Sequence, residues 1–161
     1  VDTPLRAKVL TVSDAVIAGT RQDRSGPALA DRLAEAGWRV VDRWAVADGE
    51  GPVSRALETL ADGFCGVIVT SGGTGFGPRD LTPEGTRKVL EREAPGLAEA
   101  MRAANPDKGR LSRGVAGTYG RCIVLNTPGS PAGAVECLEA VLDVLPHALA
   151  LLAGERDGHP G

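Results

Sequence analysis

Aromatic residues are scarce in this chain, at 3% of its 161 residues. The core must therefore be built from Ala, Val, Leu and Ile. The same scarcity argues against single-stranded nucleic-acid binding, which relies on aromatic stacking platforms. Lysine is limited to Lys8, Lys88 and Lys108, no basic block occurs, and the net charge is −3. A nucleic-acid phosphate backbone is thus not an expected partner. The two histidines, His147 and His159, show no metal-ligand spacing, and His159 lies in a polar tail. Cys65, Cys122 and Cys137 are odd in number and lack CxxC spacing. They read as buried free thiols of a reducing compartment, not as a disulfide frame or zinc site. No charged leader precedes a long apolar stretch, and no apolar run reaches membrane length. The expectation is a cytoplasmic protein with no membrane partner.

What is present is ordinary for a folded domain: 42% apolar and 24% charged residues. The length suits one domain with a substantial core. The expected domain is 7–152, with 1–6 and 153–161 as loose termini. Ala7 to Val12 reads as a strand, and Leu29, Leu33 and Ala36 as one face of a helix that Gly37 stops. Trp38 to Val46 reads as a second strand. Pro52 opens a helix with Val53, Leu57 and Leu60 on one face, and a third strand starts at Gly66. That alternation predicts a three-layer α/β/α sandwich with a mainly parallel sheet. Helices are expected over Pro83 to Arg92 and Leu97 to Ala104, and a loop at Asn105 to Gly109. The runs Leu111 to Tyr119 and Arg121 to Leu125 predict an antiparallel addition near 111–125. A long apolar helix, kinked or restarted by Pro146, closes the fold.

The most informative stretch is residues 66–85. An apolar β-branched run, Gly66 to Thr70, is followed by Ser71-Gly72-Gly73-Thr74-Gly75-Phe76-Gly77-Pro78-Arg79-Asp80-Leu81 and then Thr82-Pro83-Glu84. Thr82 reads as an N-cap before an N1 proline. A strand, a glycine-rich loop and a helix N-terminus leave backbone N–H groups free to face an anion. The alternative is a glycine-rich connection with no ligand. Ser130-Pro131 repeats the cap-then-proline pattern after Asn126-Thr127-Pro128-Gly129.

In a parallel sheet the loops after the strand ends share one edge, and ligands bind there. Ser13-Asp14, Asp48-Gly49-Glu50, the Ser71 to Asp80 loop and Asn126 to Ser130 would meet on that edge. Asp14, Asp48, Glu50 and Asp80 would lie among phosphate-binding loops. Carboxylates beside phosphates point to Mg²⁺, held by one or two acids plus phosphate oxygens. Each acid could instead make a local turn or cap. There is no GxxxxGK[ST], the central glycines miss GxGxxG, and no GxSxG elbow occurs.

The spacing Ser71-Gly72-Gly73-Thr74-Gly75, then Arg79-Asp80 and Thr82-Pro83-Glu84, resembles the signature of the MogA/MoaB family of molybdenum cofactor biosynthesis proteins. Thr11-Val12-Ser13-Asp14, Asp23-Arg24-Ser25-Gly26 and Asn126-Thr127-Pro128-Gly129-Ser130-Pro131 agree in order and spacing. The resemblance covers about residues 7–152. It departs at Gly85, where Ala is frequent, and at Thr127, where Leu is frequent.

The resemblance implies molybdopterin binding and, in catalytic members, Mg²⁺-dependent transfer of AMP from ATP to the molybdopterin phosphate with release of pyrophosphate. It also implies a homotrimer, with hexamers in some members, working beside other molybdenum cofactor biosynthesis proteins. Carried over by position, Asp48 and Asp80 are the catalytic and Mg²⁺-binding candidates. Ser13, Asp14, Ser71, Gly72, Gly73, Thr74, Gly75, Arg79, Pro128, Gly129 and Ser130 are the candidates for holding nucleotide and pterin. A non-catalytic molybdopterin-binding or carrier protein is the alternative. A related nucleotide-processing domain on the same fold is a weaker third reading.

Overall fold

A computed structural model describes residues 3–154. His159 and most of the expected C-terminal tail lie outside the described residues. The chain runs β1 (Arg6–Val12), α1 (Asp14–Ile17), α2 (Ser25–Glu35), β2 (Arg39–Val46), α3 (Glu50–Ala61), β3 (Cys65–Ser71) and α4 (Thr82–Arg87). It continues with β4 (Arg92–Glu93), α5 (Pro95–Ala103), α6 (Pro106–Gly109), β5 (Ala116–Tyr119), β6 (Arg121–Thr127), α7 (Pro131–Glu139) and α8 (Leu145–Leu152). The six strands form one sheet in the order β2-β1-β3-β6-β5-β4. β2, β1, β3 and β6 are parallel, and β5 and β4 extend the sheet antiparallel beyond β6.

Strand alternation divides the core between the two faces, since successive side chains point to opposite sides. Val9, Val67, Val69, Ile123 and Leu125 face one side, with Leu29 and Leu33 of α2, Leu138 of α7 and Leu145 and Leu149 of α8. Leu10, Val12, Ile68 and Val124 face the other, with Val53, Leu57 and Leu60 of α3. This gives the expected α/β fold with helices packed on the sheet. A buried leucine such as Leu57 is worth roughly 2–5 kcal/mol against alanine, far more than the propensity of any one residue in α3. Packing, not propensity, therefore holds the helices that carry the site loops.

Several boundaries differ from expectation. The helix at Pro83 stops at Arg87, not Arg92. The Glu91 N–H donates to Thr118 O at 2.8 Å, so this segment turns into the sheet as β4. The antiparallel addition is real and turns at Gly120, whose φ is +59°, as expected, but its first strand starts at Ala116 instead of Leu111. Residues 106–109 form a helical turn, with Asn105 Oδ1 capping the Lys108 N–H. Of the two expectations at Pro146, the restart holds: the closing segment is two helices, with Pro146 in the first turn of the second, where its missing N–H costs nothing. The N-terminal strand begins at Arg6, and Leu5 packs against the core.

Cys122 is buried and Cys65 and Cys137 are half-buried, all three free. Burial pushes the thiols of Cys122 and Cys137 up to about 11, which keeps them protonated at neutral pH. Among the described residues, no helix is long and apolar enough to cross a membrane.

Candidate active site

Strand register places the site. Val12 pairs with Val46, Thr11 with Ser71, and Ser71 with Thr127, so four parallel strands end in one row. The loops leaving that row enclose a cleft of about 870 Å³. Ser13, Asp48, Ser71, Gly72, Gly73, Thr74, Gly75, Asp80, Pro128, Gly129 and Ser130 all line it. Asp14 and Arg79 are not in its lining; they pair beside it. Glu50 is also outside it and pairs with Lys88 at 3.2 Å.

The glycine turn is forced by close contacts. Gly72 has φ +100° and its N–H donates to Thr127 O at 3.0 Å; a Cβ there would strike Val12 O. Gly73 has φ +69°, and a Cβ there would strike the Thr82 hydroxyl. Four successive carbonyls of this turn are occupied. Thr82 Oγ1 donates to Gly72 O at 2.8 Å and Thr82 N to Gly73 O at 3.1 Å. Arg113 N donates to Thr74 O at 2.9 Å and Arg113 Nε to Gly75 O at 2.8 Å. Among the described residues, no acceptor takes the N–H groups of Gly73, Thr74, Gly75 or Phe76. A run of free amides on a glycine turn is an anion-binding arrangement.

Thr82 is therefore not the expected N-cap. Leu81 holds that place without a side-chain cap, and the Thr82 hydroxyl and N–H are spent on the glycine turn. The start of α4 does not line the cleft. The start of α7 does: Ser130 and Pro131 are in the lining, and Ser130 Oγ accepts the Gly133 N–H at 3.2 Å.

Two carboxylates flank the glycine turn. A Cβ built on Gly73 would lie 3.2 Å from Asp48 Oδ1, and one on Gly75 would lie 3.0 Å from Asp80 Oδ2. Asp48 Oδ2 accepts the Asp14 N–H, and Asp80 Oδ2 accepts the Gly77 N–H, both at 2.9 Å. Asp14 receives Arg79 Nε at 2.6 Å and Nη2 at 3.1 Å. The Arg79 hydrogen bond holds the Asp14 carboxyl below its usual range. No group of three or more His, Cys, Asp or Glu among the described residues could hold a metal alone. The donor set instead fits a hard cation bound by one or two carboxylates and completed by phosphate oxygens.

Sequence reasoning missed several lining residues, among them Arg21, Lys108 and Ser112, and it did not make Arg24 a site residue. Arg21 and Arg24 flank the Asp23 turn, whose carboxylate accepts from the Gly26 N–H and the Thr11 hydroxyl. Two cations beside that ordered turn were a readable signal. Arg113, just outside the cleft, had none.

The family model described as "Probable molybdopterin binding domain" matches residues 8–147. The chain belongs to the MogA/MoaB molybdopterin-binding family. It is 36% identical over 152 residues to the molybdopterin adenylyltransferase of Helicobacter pylori, covering 91% of this chain and 86% of that one. It is 37% identical over 153 residues to the molybdenum cofactor synthesis protein cinnamon of Drosophila melanogaster, covering 91% of this chain and only 25% of that longer protein. A solved structure of the molybdopterin biosynthesis enzyme MoaB from Thermus thermophilus matches with a TM-score of 0.87 at 49% identity, over 94% of this chain and 98% of that one. This family membership places the chain in molybdenum cofactor biosynthesis.

Proposed function

We propose that the protein is a molybdopterin adenylyltransferase. An ionised oxygen of the molybdopterin phosphate attacks the α-phosphorus of ATP. A new P–O bond forms, the bond from the α-phosphorus to the bridging oxygen breaks, and pyrophosphate leaves. The observation that carries this reading is one cleft in which Asp48 and Asp80 flank a turn with four free amides. Backbone N–H groups aimed at developing phosphate charge are preorganised and need no rearrangement during the reaction. Mg²⁺, when bound through Asp48, Asp80 and phosphate oxygens, supplies charge neutralisation at the departing pyrophosphate. Arg21, Arg24 and Lys108 add positive charge to the cleft walls. No general base is required, because the nucleophile is already ionised.

The H. pylori relative, named an adenylyltransferase and matched over most of its length, supports this activity. A cytoplasmic homotrimer is part of the proposal. Ile17, Val41 and Trp44, exposed on and beside the edge strand β2, are suitable interface side chains.

The second reading is a molybdopterin-binding protein without turnover, in line with the family model's description as a molybdopterin binding domain. Incubation with ATP, Mg²⁺ and molybdopterin, following pyrophosphate, separates the two. The transferase reading expects release that depends on all three, and no release by the intact protein sinks it.

A further inference from the structure

We propose that Arg113 is a positioning residue that, with Thr82, turns the amides of the glycine loop toward the phosphates. The inference rests on the phosphate-transfer reading of the cleft. In a trans peptide, the carbonyl of one residue and the N–H of the next point in opposite directions. Thr82 and Arg113 hold the carbonyls of Gly72, Gly73, Thr74 and Gly75. The amides that follow those carbonyls belong to Gly73, Thr74, Gly75 and Phe76. They are the four with no acceptor among the described residues. Tying the carbonyls on one side thus presents a row of donors on the other.

Arg113 also places an acid. Its Nη2 donates to Asp80 O at 2.5 Å, so one side chain sets both the turn and the backbone that carries the Asp80 carboxylate. Glu84 holds Arg113 from the other side, at 2.7 Å to Nη1 and 3.3 Å to Nη2. Arg113 is absent from the cleft lining. Its charge is matched by Glu84, so it braces the loop instead of drawing phosphate toward itself. Only a planar fork meets two carbonyls and a carboxylate at once; an ammonium is a point charge on a flexible stem.

The test is amide NMR of the full chain titrated with inorganic pyrophosphate. In the wild type, the amides of Gly73, Thr74, Gly75 and Phe76 should shift on titration. Arg113→Met keeps the backbone N–H that holds Thr74 O, so the Gly75 response should persist. The Phe76 shift, which depends on the side-chain hold on Gly75 O, should be lost and pyrophosphate affinity should fall about tenfold, while the signal of Ser130 still responds. Arg113→Lys should not restore either. Thr82→Val, which removes only the hydroxyl, should abolish the Gly73 response. A merely structural arginine would weaken every cleft signal alike. Unchanged responses in a folded Arg113→Met or Arg113→Lys protein overturn the proposal. So does a wild type in which these four amides do not respond, whichever variants fold. Amide shifts without pyrophosphate release from ATP would leave the inference standing and remove the transferase reading.

Discussion

Asp14 and Asp48 exchange hydrogen bonds: the Asp14 N–H donates to Asp48 Oδ2 at 2.9 Å, and the Asp48 N–H donates to Asp14 Oδ1 at 3.1 Å. This exchange ties the loop after β1 to the loop after β2. Arg79 closes the ring by donating to the Asp14 carboxylate and to Asp48 O. Asp14 thus acts on the cleft through Asp48. Asp14→Ala should free the Asp48 loop and lower kcat for pyrophosphate release roughly 10–100-fold, the scale of a small misplacement. Stability should change little, because the Asp14–Arg79 pair is exposed. Steady-state kinetics beside a thermal melt checks both parts, and unchanged kcat would separate Asp14 from the site.

Asp80→Asn tests charge with shape preserved. The amide oxygen can still accept the Gly77 N–H, so the turn should persist. What disappears is the negative charge facing a bound cation and phosphates. The expected loss in kcat is about 10²–10³-fold, comparable with removing one preorganised electrostatic group. Molybdopterin affinity should stay near the wild-type value. Equal turnover by the mutant would exclude Asp80 from the mechanism.

The parts of this fold legible in sequence are those with local causes. β1, β3 and β6 are short apolar runs, and each ends in a polar or glycine-rich loop at the same sheet edge. β4 was not legible: Arg92-Glu93 is two exposed residues, and only pairing with β5 makes it a strand. That pairing also cuts α4 short. The break between α7 and α8 was only half visible, because Pro146 could mark either a kink or a new start. At the site, glycines and acids carried the signal, since tight turns and phosphate chemistry restrict residue type. Arg113 carried none. Its contacts with Gly75 and Glu84 span 38 and 29 residues, and an arginine among many says nothing about where it folds.

Glycine 72 can be separated from its ligand role by stability alone. Gly72→Ala would place a side chain at φ +100° and against Val12 O. The strain alone is about 1–3 kcal/mol, and the contact with a strand carbonyl adds to it. Gly96→Ala, in the first turn of α5 with nothing within 4 Å of a built Cβ, is the control. It should be neutral or stabilising by up to about 1 kcal/mol. Denaturant melts of the two variants should move in opposite directions or differ widely. Similar small effects would mean that the loop can relax around a Cβ.

Acid should loosen the glycine loop through Glu84. The hydrogen bond from Arg113 holds the Glu84 carboxyl below its ordinary value of 4.5. A carboxyl lowered in the folded state stabilises fully above the unfolded value. That stabilisation is lost as pH falls below 4.5 and through the lowered folded value. Melts of wild type and Glu84→Gln should therefore differ most at neutral pH and converge in acid. A difference independent of pH down to full protonation would assign the effect to packing instead of charge.

Asn126 links the sheet to both sides of the site. It is buried, donates to Thr70 Oγ1 and Thr86 Oγ1, each at 3.0 Å, and accepts the Val115 N–H at 3.1 Å. These bonds join β3, α4 and the start of β5 just before the Pro128 to Ser130 loop. Alanine would leave the Val115 N–H and both hydroxyls to find other partners inside the protein. Leaving buried polar groups unsatisfied costs about 1–3 kcal/mol each, so Asn126→Ala should lose roughly 2–4 kcal/mol after relaxation. For a chain of this size that is a fall in Tm on the order of 5–15 °C. Asn126→Asp should fall further above neutral pH than in acid, because a buried carboxylate has no cation among these partners. Because α4 carries Thr82 and Glu84, the variants should also weaken pyrophosphate binding while still folded. A folded Asn126→Ala protein with wild-type Tm and affinity would show that Thr82 and Arg113 hold the loop without this buried brace.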